Sequence, residues 1–417
     1  MKATESFSLV LGVALLSTVS VACGAQPPAL VVSDGYGNTA MGTGALLHLA
    51  TGPVDNTAGG YLALVSNTTG SFNTAFGGET LLTNSTGSNN SAFGFDALYS
   101  NLTGERNVAF GTYALSNNST GSQNVAAGAG SLNRNTTGTN NTAMGTDALG
   151  LNKTGNYNTS AGVASMYFNT TGGENTANGY AALYRNTTGS YNTANGLDAL
   201  YNSTTGNYNT AVGHQAMFNN DSGYRNVAIG FNAGYAVSGS DNITIGAQNQ
   251  GKAAENGVTR IGNKSYQSKA FIAGISGVKT GLAAAKTVFI DANGQLGTIK
   301  SSRVYKEDIH PMGSVSERLL ALQPVTFRYK EPYDDGSKPV EFGLIAEDVA
   351  EVFPELVVND SEGKPETVRY DLIATLMLNE FEKEHAELAE LKKQVAGMAA
   401  IIELLERERG TAAARQP

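Results

Sequence analysis

Small apolar residues return along most of this chain at a fixed interval. The unit is Asn-Thr-Ala-x-Gly, which begins at Asn38 and Asn56 and recurs at Asn73, Asn90, Asn107, Asn124, Asn141, Asn158, Asn175, Asn192, Asn209 and Asn226. Every step from Asn56 to Asn226 is 17 residues, and a last copy follows 16 residues later at Asn242. Eight positions beyond the Asn, from Leu46 to Met217, Leu or Met stands in all eleven copies. A second glycine keeps the same period from Gly70 to Gly223. Such a register stacks equivalent residues into ladders, one coil per repeat.

The pattern predicts two short extended segments per coil. One is Asn-Thr-Ala-x-Gly; the other is the stretch that ends in Ala-Leu. Gly and the Asn-Thr-Thr-Gly corners supply the turns. One Ala and one Leu per coil bury little apolar surface, so neighbouring arrays are expected to share a core and the chain to oligomerise. The thirteen copies, at a strand spacing of about 4.8 Å, give a rod on the order of 60 Å long. These repeats resemble the parallel β-roll heads of trimeric autotransporter adhesins and related phage-fibre stalks, with Asn226-Val227-Ala228-Ile229-Gly230 close to that family's recurring motif. The 17-residue period is longer than the family's.

The register dissolves from Thr259. Arg260-Ile261-Gly262, Phe271 to Ile275 and Val288 to Asp291 are short apolar runs divided by glycine turns. Asn293-Gly294 suits a hairpin. Residues 257–300 therefore read as a β-rich neck, following an array over 33–256.

After Ser301 the pattern becomes mixed. Val325 to Tyr329 alternates like a strand, Glu341 to Ala346 follows a charged turn, and Glu347 to Phe353 has helical spacing that stops at Pro354. Val357-Val358 and Val368-Arg369-Tyr370 suggest a hairpin. From Asp371 to about Arg409 the chain reads as helix. Leu388, Leu391, Val395, Met398, Ile402 and Leu405 are spaced 3, 4, 3, 4, 3, which is an a/d heptad seam, and Phe381 extends it one heptad back. Self-association of the seam, with three strands to match the rod, is the expectation. An amphipathic helix packed on its own domain is the other reading.

Charge sharpens the boundary near residue 300. Of the 27 Lys and Arg and 36 Asp and Glu residues, 26 lie before Ser301 and 37 from it onward. A net charge of −9 gives no basic stripe, so nucleic acid is not an expected partner. The single cysteine forms no internal disulfide. A calcium-binding β-roll needs a regular Asp in each coil, and an ice-binding face an unbroken Thr ladder. The first is lacking, and Val108, Val125 and Val227 interrupt the second. The Asn-x-Thr triplets match a glycosylation acceptor but follow from the repeat. No metal or cofactor is expected.

The stretch Ser301-Ser302-Arg303-Val304-Tyr305-Lys306-Glu307-Asp308-Ile309 opens the charged segment. Together with Leu322 to Phe327, Gly343 to Glu347 and Val368 to Tyr370, it resembles the intramolecular chaperone domain at the C-terminus of phage endosialidases, tail spikes and fibres, which is also classed as a self-cleaving peptidase family. The resemblance implies a domain that trimerises, guides folding of the upstream fibre and cuts itself off. It also implies a scissile bond Lys300–Ser301, with Ser301 as nucleophile and Lys306 as base. Ser-Lys pairs are a known variant of triad chemistry. Many members of that family have Asp where this chain has Ser302. Glu347 has no assigned role, and His310 reads as a surface residue.

Residues 1–25 resemble an export signal: Lys2, an apolar run from Ser8 to Ala22, then small residues. Cys23 lies where a bacterial lipoprotein has its lipidated cysteine, although an aliphatic residue is usual at Ser20. Cleaved secretion, lipidation at Cys23 and an uncleaved anchor are the readings, in that order. Membrane contact is expected only through such a lipid.

The expectation is a mostly β chain in which a β-roll or solenoid of 17-residue coils precedes a neck. A small α/β chaperone domain follows over 301–370, with a coiled-coil helix over 371–409. Its function would be that of a secreted or surface-displayed homotrimeric fibre, bacterial or from a phage, with single-turnover self-cleavage. The alternatives are an uncleaved trimeric adhesin and a solenoid that binds glycan or ice. The sequence does not identify a host-surface ligand.

Overall fold

The computed structural model describes residues 31–50, 52–273, 275, 286–291, 294–360 and 362–413. The signal-like segment 1–25, Cys23 and Asn293 fall outside them. Two compact units meet between Ile272 and Ala273.

In the first unit, β1 (Val31–Ser33) pairs antiparallel with β2 (Thr39–Met41). From β2 onward the strands stack in sequence order, from β3 (Thr57–Gly59) to β15 (Thr259–Ile261), every neighbour parallel. Thr176 pairs with Thr193 and Ala177 with Ala194, so the 17-residue period is the strand register. The result is a β-solenoid of stacked coils. Alternation along each strand turns Thr outward and Ala inward.

The second extended segment expected in each coil does not form. Its place is taken by a tight turn in which Leu has left-handed backbone, φ +52° at Leu115 and +48° at Leu132. The physical reason lies in the pair Ala-Leu. Both Ala114 and Leu115 are fully buried, and adjacent residues of a strand point to opposite faces. Only a turned backbone sends both inward.

The interior is also closed within one chain, contrary to the expectation of a core shared between arrays. Ala109, Ala114, Leu115 and their equivalents form one continuous buried cluster. Two buried Asn in most coils complete it. In the first ladder, Asn124 Oδ1 accepts from the backbone N–H of Asn141 at 3.0 Å and from its Nδ2 at 3.1 Å, while Asn124 Nδ2 reaches the Gly138 carbonyl at 2.8 Å. In the second, Asn118 Nδ2 donates to Asn101 Oδ1 and to the Gly121 carbonyl, both at 2.8 Å. These amides satisfy the corner carbonyls that a narrow apolar coil would leave unpaired. Stacking is too close for side chains at one corner: a Cβ on Gly111, φ +134°, would lie 2.7 Å from the Gly128 carbonyl.

The array reaches further than residue 256, because Thr259–Ile261 continues the parallel ladder on β14 (Ile243–Ile245). Of the neck, the described residues retain one small hairpin, β16 (Phe289–Ile290) with β17 (Leu296–Gly297). Gly294 at its turn has φ +83°. Phe271 to Ala273 form no strand.

The second unit holds two further hairpins, β18 (Val325–Phe327) with β19 (Glu341–Gly343) and β20 (Val357–Asn359) with β21 (Pro365–Val368). Helix α1 (Ala346–Val352) and a 3₁₀ helix, Gly313–Ala321, pack with them. Helix α2 runs from Tyr370 to Ala413, so Tyr370 begins the helix and does not end the strand. Val349, Phe353, Leu356, Val368 and Leu376 form the core. Only the first turns of α2 contribute to it. From Glu384 to Arg409 every side chain is exposed.

Candidate functional site

The residues around the expected scissile bond form an exposed turn. Arg303–Tyr305 is one 3₁₀ turn; the Ser302 hydroxyl accepts from the Val304 N–H at 3.4 Å, and the Lys306 N–H donates to the Arg303 carbonyl. Lys306 itself is extended, with φ −128° and ψ 141°. The Lys300 ammonium sits over the Tyr305 ring, 4.4 Å from its centroid. Every residue from Ser301 to His310 is exposed, and no hydrogen bond joins Ser301 to Lys306. The turn thus places the two groups on one short surface segment without assembling them into a site. A lysine acts as base where burial or a neighbouring cation depresses its pKa; in the single chain Lys306 has neither a covering wall nor a bond to Ser301.

The other landmarks are brought together. The Leu344 N–H donates to the Tyr370 hydroxyl at 2.8 Å. Gly343 lies beneath that contact, and a Cβ there would meet Tyr370 Oη at 2.8 Å and the Phe327 ring at 3.2 Å. Glu347 stands exposed in the first turn of α1, with no partner that ties it to Ser301. His310 is exposed.

Two features escaped the reading of the sequence. One is a polar knot that holds the 3₁₀ helix to α2. The buried Ser316 hydroxyl donates to Glu380 Oε1, Asn379 Nδ2 donates to Ser316, and Lys383 bridges Glu380 at 2.9 Å and Glu317 at 3.0 Å. These bonds hold the Glu380 carboxyl below the usual carboxylate range, the Ser316 hydroxyl most of all, Lys383 next. The other is an apolar groove of about 690 Å³ lined by Leu320, Phe342, Met377 and Phe381, with Glu380 and Glu384 beside it. The seam Leu388, Leu391, Val395, Met398, Ile402 and Leu405 continues away from it along α2, exposed throughout.

On the solenoid, Tyr167, Tyr184, Tyr201, Phe218 and Tyr235 stack coil on coil with centroids 5.0 to 5.9 Å apart. Their faces are turned to one another, so the inner rings offer edges, not faces, to solvent. The Asn-x-Thr triplets of the second ladder are buried at their acceptor: Asn118 and its equivalents have no exposed surface and spend their amide protons within the ladder, whereas Asn140 and Asn202 are half-buried. Among the described residues no cluster of three or more His, Cys, Asp or Glu could hold a metal ion, and no helix is long and apolar enough to cross a membrane.

Residues 301–358 match a family model described as chaperone of endosialidase. The match begins at Ser301 and takes in the exposed turn, the 3₁₀ helix, β18, β19, α1 and the start of β20. A chaperone-of-endosialidase domain therefore follows the β-solenoid in this chain. No curated protein and no solved structure matches the chain.

Proposed function

We propose that this chain is an exported homotrimeric fibre whose C-terminal domain drives its assembly and then separates by cutting Lys300–Ser301. The observation that supports it most directly is the start of the chaperone-of-endosialidase match at Ser301, the residue that stands five positions before Lys306. The exposed seam on α2 supports self-association, since an apolar stripe in heptad spacing is stable in water only when another helix covers it.

The chemistry is an acyl shift followed by hydrolysis. Ser301 Oγ attacks the Lys300 carbonyl carbon, and Lys306 takes the hydroxyl proton and returns it to the departing Ser301 nitrogen. The C–N bond breaks as the C–Oγ ester forms. Water then splits the ester, leaving the Lys300 carboxylate and a free amine on Ser301. Because nucleophile and scissile bond share one residue, each chain turns over once. Exposure of both groups in the single chain makes assembly the step that buries Lys306 and fixes the geometry.

Expression of the full chain in a bacterial host, followed by denaturing gel and N-terminal sequencing, tests the reading. A fragment of 117 residues beginning at Ser301 is expected, and it disappears in Ser301→Ala and Lys306→Ala. A wild-type chain that assembles and stays whole refutes cleavage. Mass spectrometry of the mature N-terminus reports export processing and any lipid on Cys23.

A further inference from the structure

The cleavage segment and the apolar groove of the same domain have complementary chemistry. Residues 300–306 carry Lys300, Arg303 and Lys306 and no acidic residue. Between these cations stand Val304, 85% exposed, and Tyr305. The groove is an apolar surface with Glu384 beside it, and its Phe342 is 81% exposed.

Heptad spacing gives Glu384 a second meaning. Counting back four from Leu388 reaches Glu384, three more reach Phe381 and a further four Met377, so Glu384 occupies a seam position between apolar residues. A carboxylate there is enclosed when the seam closes and then needs a cation beside it. Phe381 and Met377 belong both to the seam and to the groove lining, so whatever chain covers the seam also stands over the groove. Within one chain the segment joins the 3₁₀ helix at its start, Gly313, whereas the groove lies at its far end by Leu320. Gly313 and Leu320 are seven residues apart in the 3₁₀ helix, about 14 Å at ~2 Å each.

We infer that the groove receives residues 300–306 of a second copy, with Arg303 on Glu384 and with Val304, Tyr305 and the stem of Lys306 against Leu320, Phe342 and Met377. This rests on the self-cleavage reading above and adds where the site is completed. Arg303 is suited to the charged contact because guanidinium stays protonated and matches a carboxylate with two parallel donors. The apolar wall removes water from Lys306, which is the change a lysine needs to act as base. Each copy then cleaves only when seated on its neighbour.

The test uses full chains and the gel readout. Arg303→Glu and Glu384→Arg should each slow appearance of the fragment about tenfold or more, and the double variant should recover most of the rate. Co-expression then separates neighbour from self. A chain with Ser301→Ala offers an intact groove but no nucleophile; a chain with Glu384→Arg offers the nucleophile but a reversed groove. Faster fragment formation from the Glu384→Arg chain in the mixture than from that chain alone is the expected result. No such gain in the mixture, with recovery in the double variant, places the contact within one chain and overturns the inference. If Glu384→Arg prevents assembly by cross-linking, Arg303→Glu decides, because it leaves the seam untouched: cleavage at the wild-type rate overturns the contact. A wild-type chain that never cleaves defeats the self-cleavage reading instead, so the two failures are distinguishable.

Discussion

The hydroxyl of Tyr370 accepts a hydrogen bond from the backbone N–H of Leu344 at 2.8 Å. That contact pins the first turn of α2 to the end of β19, next to the groove floor. The bond itself is at the surface, so its loss costs little, while the space beneath it is tight. Tyr370→Phe is expected to lower stability of the C-terminal unit by about 0.5–1.5 kcal/mol. Gly343→Ala is expected to cost about 1–3 kcal/mol, because its Cβ must displace the Tyr370 hydroxyl and the Phe327 ring. Chemical denaturation of the two variants checks the order; an alanine as stable as wild type would contradict it.

The second Asn ladder has a fault at Ser203. Asn186 Oδ1 and Ser203 Oγ are buried without a hydrogen-bond partner among the described residues. Ser203 is too short to bridge one coil to the next, and Asn220 Nδ2 keeps only its bond to the Gly223 carbonyl. Ser203→Asn should restore the ladder, donating to Asn186 and to the Gly206 carbonyl and accepting from Asn220. A gain of about 1–3 kcal/mol is expected from pairing buried polar atoms. Thermal unfolding of the variant measures it, and a lowered melting temperature would show that the amide does not fit.

Acid acts on the knot at Ser316. Because Ser316 and Lys383 depress the Glu380 pKa, the folded unit favours the carboxylate. Its contribution is present above the ordinary unfolded carboxyl value of about 4.3 and is lost as pH falls through the lower folded value. Wild type should therefore lose stability on acidification more steeply than Glu380→Gln over that window. Equal slopes from urea titrations at pH 6 and pH 3 would remove Glu380 from the acid response.

The period, the strand positions and their register could be read directly from the sequence, because parallel stacking repeats whatever residue the strand carries. Helix α1 was legible from its spacing and Pro354, and α2 from its seam. The turn at Ala114-Leu115 was not, since Ala-Leu is compatible with a strand until both side chains are known to be buried. The Asn ladders were missed for a related reason: Asn is commonly a corner residue, and only the closed coil shows that its amide serves the neighbour's backbone. For the segment from Ser301 to Lys306, the residue types and spacing were legible, and the single chain leaves both groups exposed and unjoined.

A signal for the hidden turn does exist in the repeat. The position eight beyond Asn is filled by Leu or Met in all eleven copies, never by Ile or Val, although the side chain lies in the buried apolar cluster that any of the four could fill. Burial alone does not explain this choice. The backbone does: φ is +48° at Leu132, +49° at Met166 and +51° at Met217, and a second heavy atom on Cβ crowds a left-handed backbone. Leu132→Met should therefore cost under about 1.5 kcal/mol, as a volume-conserving exchange in a core. Leu132→Ile, equally conservative in volume, should cost about 1–3 kcal/mol more because it adds backbone strain. Urea unfolding of the two full-length variants separates the causes. Equal stability would mean that packing, not the sign of φ, selects Leu and Met here.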